Sequence, residues 1–308
     1  MLKLDRNVVH FLLLCLIWGT TWIGIKAGVE SVPPLLFAGT RFMVAGAVLL
    51  VASAANGTLH VARRDWPRMA GVSLLLIALC YGPLFWGMLY VDSGTAAVLE
   101  MSLTPIALMC FALLLGEEVF DQRRLGAIVL GVVGLFILFG PTAYAGWSGG
   151  SGTMRGWGAV GVSVAALTYG WGSVLARPLL RSYPSLVVAG LTTFLGGSGL
   201  LSASLAIEPG ALQALSGRWG TWAWSGWIFL VLFGSLFGYT IYMRLLRDIG
   251  ATRAGTYAFV SPVIAVVLGV LFFGEPIHGL DIAGMIVMLS AAGLAMFESK
   301  RHESAAGV

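Results

Sequence analysis

Two charged side chains, Arg41 and Glu100, lie inside apolar runs that are otherwise long enough to cross a membrane. Burying a charge in hydrocarbon costs roughly 2.5–3.5 kcal/mol on insertion scales, so a retained charge is a functional candidate. Arg41 lies about six residues and Glu100 about seven residues into its run, at depths of about 9 and 10 Å in a helix. Similar depth makes an ion pair between them geometrically possible.

Two interpretations of these charges stay open. In the functional one, Glu100 faces a cavity, where it binds a substrate ammonium group or carries a proton. In the structural one, Glu100 pairs with Arg41, or the Arg41 side chain extends to the membrane surface. We favour a structural or coupling role for Arg41 and keep both interpretations for Glu100.

Aromatic side chains form the second candidate group. Trp18, Thr21 and Trp22 share one helix face, and Tyr81 and Phe85 lie four residues apart around Pro83. Tyrosine and tryptophan combine apolar area with one hydrogen-bonding group, and their faces attract cations. A cavity lined by such side chains suits a neutral or zwitterionic metabolite with an apolar side chain. The alternative is that these aromatic residues face lipid or pack between helices. The substrate-binding candidates are Trp18, Thr21, Trp22, Tyr81, Phe85, Glu100, Met101, Tyr169, Trp171 and Tyr239.

Ten apolar runs are long enough to position these residues in a bilayer, since about 20 apolar residues span the hydrocarbon core. The runs are continuous and lack the alternation of barrel strands, so they predict helices. They cover residues 8–28, 35–54, 68–89, 93–114, 124–141, 156–176, 185–207, 224–246, 252–273 and 279–298. The sequence therefore predicts an all-α integral membrane protein with ten transmembrane helices.

The composition agrees with a membrane protein. Of the 308 residues, 58% are hydrophobic and 10% are charged, whereas soluble domains average about 25% charged residues. This excludes a soluble enzyme, a coiled coil, a disordered chain and a nucleic-acid binder. Cys15, Cys80 and Cys110 are isolated within apolar runs, which favours small core residues over a disulfide or a metal site. We expect no metal and no cofactor.

Loop charges predict the orientation. With the N-terminus in the cytoplasm, 14 of the 18 Lys and Arg residues fall on cytoplasmic loops and tails, and three fall on the other side. This bias follows the positive-inside rule and places both termini in the cytoplasm. Four tryptophans then lie at the outer interface as membrane anchors: Trp219, Trp222, Trp224 and Trp227.

The two halves of the chain resemble each other. An offset of 151 residues places Gly19 on Gly170 and Pro33 on Pro184, and an offset of 157 places Pro105 on Pro262. Because each half holds five spans, an odd number, the second half must enter the membrane from the opposite side. Such inverted repeats are typical of secondary transporters, which bind substrate near the midplane between the repeats. A duplicated bundle with a purely structural role is the alternative.

The predicted domains follow from this repeat. They are a first five-helix repeat over 1–145, a Gly- and Ser-rich linker over 146–155, a second and inverted repeat over 156–298, and a cytoplasmic tail over 299–308.

Several short motifs occur in a characteristic order. Trp18-Gly19, Arg41-Phe42 and Pro105 followed by Gly116-Glu117, with a second copy as Pro262 and Gly274-Glu275, resemble the EamA-type members of the drug/metabolite transporter superfamily over about residues 8–298. The resemblance implies ten helices in two inverted five-helix repeats and export of small metabolites, often amino acids, from the bacterial cytoplasm. It also implies an arginine at the place of Arg41. We expect structural or coupling roles for Pro105 and Pro262, because each frees a backbone carbonyl inside the membrane, which can bend the helix or line a polar cavity.

An intramembrane enzyme is the main competing class. Gly196–Gly199 contains a serine in a glycine-rich stretch, but the histidines lie at span ends, in loops or in the tail, and no metalloprotease or phosphate-loop motif is present. We therefore predict an exporter of amino acids, with aromatic or other apolar side chains, that works by alternating access in the inner membrane. A multidrug exporter is the second candidate. The expected partners are a small-molecule substrate and the lipid bilayer, without nucleic acid, and a monomer is compatible with the sequence.

Overall fold

The fold is known from a computed structural model that describes residues 5–29, 31–91, 93–148, 152–273 and 277–296. Within these ranges, every regular element is helical. The first-half helices are α1 (Arg6–Val29), α2 (Pro34–Ala55), α3 (Arg63–Gly87), α4 (Ser93–Leu114) and α5 (Gln122–Ser148). The second-half helices are α6 (Gly152–Ser182), α7 (Ser185–Ile207), α8 (Gly220–Asp248), α9 (Ala251–Gly255 continued by Tyr257–Phe273) and α10 (Gly279–Met296).

The helices have the length and composition of membrane spans. In the described ranges, nine are long and apolar enough to cross a bilayer, and Arg6–Thr21 of α1 forms a shorter apolar helix. The prediction of an all-α membrane protein with about ten helices is therefore confirmed.

Most helices begin and end within a few residues of the predicted apolar runs. In the middle of the chain, the two helices α5 and α6 are longer than their runs. α5 continues beyond the predicted end at 141 to Ser148, because Pro141 lies inside the helix without ending it, and α6 already begins at Gly152. The helices thus occupy most of the segment predicted as a linker over 146–155, of which 149–151 lie outside the described residues. The predicted tail, 299–308, also lies outside them.

Helices at corresponding places in the two halves pack in corresponding ways. α2 packs along α7, and α5 packs along α10. α1 contacts α8 and α9 of the second half, while α6 contacts α3 and α4 of the first half. Consequently α1 and α6 each insert into the opposite half of the molecule.

Glycines permit the close antiparallel approach of α2 and α7. A Cβ atom at Gly197 would lie 2.5 Å from the Met43 nitrogen and 2.9 Å from the Gly39 oxygen. A Cβ atom at Gly39 would lie 3.1 Å from the Gly197 oxygen. These backbones can touch only because neither residue carries a side chain.

The third helix of each half contains a π-helical segment. In α3 it covers Leu74–Ala78, and in α8 it covers Leu230–Gly238. Shortly beyond the first segment, Pro83 has no N–H to donate to the Leu79 carbonyl. The Thr168 hydroxyl of α6 donates to that carbonyl instead, at 3.0 Å. This contact fixes α3 against α6 where Tyr81 lies.

Charged side chains connect the halves at the end of the bundle where α1 begins, here called the N-terminal end. The N-end ion cluster comprises Glu117, Glu118, Arg124, Arg177 and Arg181. The Arg177 Nη1 lies 3.4 Å from a Glu117 carboxylate oxygen and 3.6 Å from Glu118. Arg177 also donates from Nε to the Leu246 carbonyl at 3.2 Å.

Within this cluster, Glu118 rather than Glu117 caps a helix. The Glu118 carboxylate accepts the backbone N–H groups of Ala251 and Thr252 at the start of α9. The Glu117 carboxylate instead pairs with Arg177 and Arg181. Glu275, at the corresponding place in the second half, lies outside the described residues.

A different set of contacts joins the halves at the opposite end. The Glu208 carboxylate, after α7, accepts the backbone N–H groups of Leu35 and Leu36 at 2.8 and 3.1 Å and so caps α2. The Trp227 indole donates to the Thr40 hydroxyl at 3.1 Å. Trp219, Trp224 and Trp227 pack against one another, whereas Trp222 is exposed. Three of the four predicted anchors thus form an aromatic cluster.

Candidate functional site

A cavity of about 80 Å³ lies between the two halves. Its walls come from α1, α2, α3 and α4 of the first half and from α6, α8 and α9 of the second. This volume is smaller than the roughly 300–1,000 Å³ of most ligand pockets. A solute of amino-acid size therefore requires the walls to move apart.

The cavity brings together most of the residues singled out from the sequence. These predicted residues come from six of the seven helices that form the walls, and they include both intramembrane charges. The predicted residues that line it are Trp18, Thr21, Arg41, Tyr81, Glu100, Met101, Tyr169 and Tyr239.

Two predicted binding residues do not line the cavity, and a third cannot be placed. Phe85 is buried behind Tyr81, with 5.9 Å between their ring centroids. Trp171 is 44% exposed and stacks on Phe111 at 5.8 Å. Two residues along a helix correspond to a rotation of about 200°, so Trp171 faces away from Tyr169. The side chain of Trp22 lies outside the described part of the chain.

Pro105 and Pro262 act on the cavity through the backbone. Both prolines are buried inside their helices, α4 and α9. Proline cannot donate to the carbonyl four residues earlier, and those carbonyls belong to Met101 and Ala258. Both Met101 and Ala258 line the cavity. The two helices thus each contribute a carbonyl without its usual helical partner next to the cavity.

Trp18 lies at the centre of an aromatic cluster. Its ring is 5.1 Å from that of Tyr242 and 4.6 Å from that of Tyr257, the latter in an edge-to-face arrangement. The indole N–H points to the Gly234 carbonyl in the π segment of α8, at a long 3.5 Å. Gly238 leaves space for it, because a Cβ atom there would lie 2.7 Å from the Trp18 Nε1. The π segment therefore positions Trp18 between the two halves.

Arg41 is buried without a counter-ion among the described residues. It is 3% exposed, and its guanidinium carbon lies 4.4 Å from the Phe42 ring centroid and 5.4 Å from that of Tyr81. Its Nε has no hydrogen-bond partner among the described residues. The ion pair with Glu100 that was considered is not among the ion pairs of the described chain, although both side chains line the same cavity. Because its side chain is buried, Arg41 does not extend to the surface either.

Sequence reasoning missed several lining residues that the repeat could have identified. An offset of 157 residues places Glu100 on Tyr257, Met101 on Ala258 and Thr104 on Ser261. All six of these residues line the cavity. Trp18 and Tyr169, which are related by the offset of 151, line it as well. The two halves thus contribute to the cavity from equivalent positions.

Cysteines do not form a site in the described structure. Cys15 is buried, Cys80 is buried beside the cavity and Cys110 is exposed on the outside of α4, so the core position expected for Cys110 is wrong. Among the described residues, no group of three His, Cys, Asp or Glu side chains is placed to hold a metal. The arrangement of rings, hydroxyls and two opposite charges is suited to binding a solute.

Several proteins are similar in sequence to this chain over most of its length. The inner membrane transporter YedA of Escherichia coli K12, which is described as uncharacterized, is 32% identical over 91% of this chain and 87% of its own. The uncharacterized transporter YvbV of Bacillus subtilis is 25% identical over 98% of this chain and 95% of its own. A WAT1-related chloroplastic protein of Arabidopsis thaliana is 26% identical over 91% of this chain and 67% of its own.

A solved crystal structure has the same fold, with a TM-score of 0.78 and 19% identity, over 94% of this chain and 96% of that one. The model of the EamA-like transporter family matches the chain in two segments, residues 7–140 and 156–297, one in each half. This protein therefore belongs to the EamA-like transporter family and is a multi-pass membrane transporter.

Proposed function

We propose that this protein exports amino acids, with aromatic or other apolar side chains, from the cytoplasm across the inner membrane by alternating access. The substrate enters the cavity between the halves from the cytoplasm. The halves then rock, and the cavity opens to the other side. A gradient of substrate, of protons or of both drives the cycle.

The observation that carries this proposal is the lining of the cavity. Aromatic rings from both halves surround it, and the only two charged side chains of the described lining have opposite signs. Rings accommodate an apolar side chain, while the charges match a solute that carries both an ammonium group and a carboxylate.

The packing of the halves supports an inverted repeat. α2 and α7 run antiparallel, as do α5 and α10, and the contacts of α1 in one half correspond to those of α6 in the other. The match of one family model to each half supports the same origin. Two halves of this kind can exchange conformations around a central site.

Uptake into proteoliposomes tests the proposed function. Purified protein is assayed with a panel of labelled amino acids, with and without a pH gradient, beside liposomes without protein. We expect saturable uptake of one or more apolar amino acids. Transport of bulky cationic drugs and of no amino acid would instead support a multidrug exporter. Cleavage or group-transfer activity of the purified protein would contradict a transporter.

A further inference from the structure

Arg41 lies against the cavity in a manner that its packing alone does not explain. The residue is 3% exposed, lies on α2 within the membrane, and has no counter-ion in the described chain. A buried charge without a partner is strongly destabilising, so such a residue normally pairs with an opposite charge. Arg41 lines the cavity, so a carboxylate bound there would supply the opposite charge.

The surroundings hold Arg41 ready for a ligand. The ring of Phe42 lies 4.4 Å from its guanidinium carbon, and that of Tyr81 lies 5.4 Å away. Aromatic faces stabilise a cation without using its N–H donors. The planar guanidinium therefore keeps its donors for a carboxylate, which it binds through two parallel hydrogen bonds.

A second unpartnered group faces the same space from the other half. Ser235, in the π segment of α8, is 1% exposed and lines the cavity, and its hydroxyl has no partner among the described residues. Glu100 also lines the cavity and supplies the negative charge. Positive, negative and neutral hydrogen-bonding groups thus surround one small space.

We propose that Arg41 binds the α-carboxylate of the substrate while Glu100 binds its α-ammonium group, so that a free amino acid is recognised at both ends of its charged part. The inference rests on the proposed function for the identity of the substrate, and it replaces the structural role of Arg41 by a binding role. Both charges come from the first half. The positions related to them by the repeat carry Thr192 and Tyr257, which are neutral.

Calorimetric titration of the purified full-length protein tests this recognition with three probes of similar shape. L-phenylalanine carries both charged groups, phenethylamine carries only the amine and 3-phenylpropionate carries only the carboxylate. Wild-type protein is expected to bind L-phenylalanine more tightly than either analogue. Inorganic phosphate is the reference for non-specific anion binding. The proposal is contradicted if the wild-type protein binds 3-phenylpropionate as tightly as L-phenylalanine, or no more tightly than inorganic phosphate.

Two substitutions separate the charges. Arg41→Gln should lower the affinity for L-phenylalanine and for 3-phenylpropionate by about tenfold or more, since one charge-assisted contact is lost. The affinity for phenethylamine should not change. Glu100→Gln should lower the affinity for L-phenylalanine and for phenethylamine. The affinity for 3-phenylpropionate should not fall. Arg68→Gln, an exposed arginine on α3, is the matched control and should change none of the three affinities.

Outcomes that overturn the inference differ from those that overturn the proposed function. Equal weakening of all three probes by Arg41→Gln, or no weakening of any, contradicts carboxylate binding by Arg41. If Arg41→Gln does not fold, Arg41→Lys keeps the charge without the planar fork, and an unchanged affinity of that variant for 3-phenylpropionate contradicts the paired hydrogen bonds. The predicted binding pattern in a protein that moves no amino acid in liposomes would support the Arg41 site and contradict export.

Discussion

At the scale of single residues, the position of Trp18 connects helix geometry with the cavity. Its ring packs on Tyr242 and Tyr257, and its indole reaches the π segment of α8. Since Trp18 lies on α1 and packs against α8 and α9 of the second half, any relative movement of the halves changes its surroundings. In the proposed cycle, Trp18 would contact the solute and change its packing as the halves move.

Trp18→Ala is expected to lower amino-acid uptake by about tenfold, because aromatic contacts worth about 0.5–1.5 kcal/mol beyond the buried area are lost. Uptake into proteoliposomes at equal protein amounts measures this effect, and gel filtration confirms that the variant folds. Trp171→Ala is the matched control, since Trp171 stacks on Phe111 outside the cavity. Equal losses for both variants would contradict a direct role for Trp18.

Glu100→Gln is expected to reduce uptake and to remove its dependence on pH. Glu100 is the only carboxylate among the described side chains that line the cavity, and glutamine has no proton to exchange at that position. Initial uptake rates over a pH series measure both effects, with Asp248→Asn, at an exposed residue outside the cavity and the N-end ion cluster, as the control. If transport and its pH response are both unchanged, Glu100 has no functional role.

At the scale of helices, the crossing of α2 and α7 sets how closely the halves approach. Gly197→Ala is expected to lower thermal stability, because its Cβ atom would meet the backbone of Met43 at 2.5 Å and overpacking costs about 1–3 kcal/mol. Melting in detergent, followed by gel filtration of heated samples, measures the change. Gly126→Ala is the matched control.

A Cβ atom at Gly126 would meet nothing within 4 Å, and alanine favours a helix over glycine by about 1 kcal/mol. The Gly126→Ala variant should therefore melt at the wild-type temperature or above it. If the Gly197→Ala variant melts at the same temperature as the Gly126→Ala variant, close packing at the crossing is contradicted.

The N-end ion cluster holds the halves together at one end of the bundle. Glu118 belongs to the first half, while Arg177 and the start of α9, which it caps, belong to the second. Ser173 lies one turn from Arg177 and one turn from Tyr169 of the cavity, and its hydroxyl is 2.8 Å from that of Tyr242. Breaking the cluster should therefore open a route to the cavity past Ser173.

Glu118→Ala is expected to increase maleimide labelling of Ser173→Cys, made in a background without the three native cysteines. Loss of the Glu118 carboxylate leaves Arg177 with fewer partners and removes the cap of α9. The N-terminal end of the bundle should therefore open more often. Glu208→Ala, which removes the cap of α2 at the opposite end, is the control and should not increase this labelling. Equal labelling with and without Glu118→Ala would contradict a closing role for the cluster.

At the scale of the whole molecule, the proposed inversion predicts opposite exposure of equivalent loops. Thr58, between α2 and α3, and Leu212, between α7 and α8, follow corresponding helices of the two halves and are both exposed. We expect a membrane-impermeant maleimide to label Leu212→Cys in intact cells and Thr58→Cys only after permeabilisation. Labelling of both from the same side would contradict the inverted repeat and the alternating-access mechanism built on it.

The sequence was sufficient for the helices because each is a continuous apolar run, and α7 begins and ends where its run does. The face that each helix turns to the cavity was harder to predict, since it depends on neighbours that a single run does not specify. Phe85 shares a helix face with Tyr81 by spacing, yet it lies behind that residue. Tyr257 and Ser261 became recognisable only through their relation to Glu100 and Thr104.

The absence of Arg41 and Glu100 equivalents in the second half bears on the orientation of a bound solute. If both charges were repeated there, the cavity would be nearly two-fold symmetric, and a solute could bind in either of two reversed orientations. With Thr192 and Tyr257 at those positions, this degeneracy is lost. An amino acid bound at Arg41 and Glu100 as proposed would therefore point its side chain toward the same wall in every transport cycle.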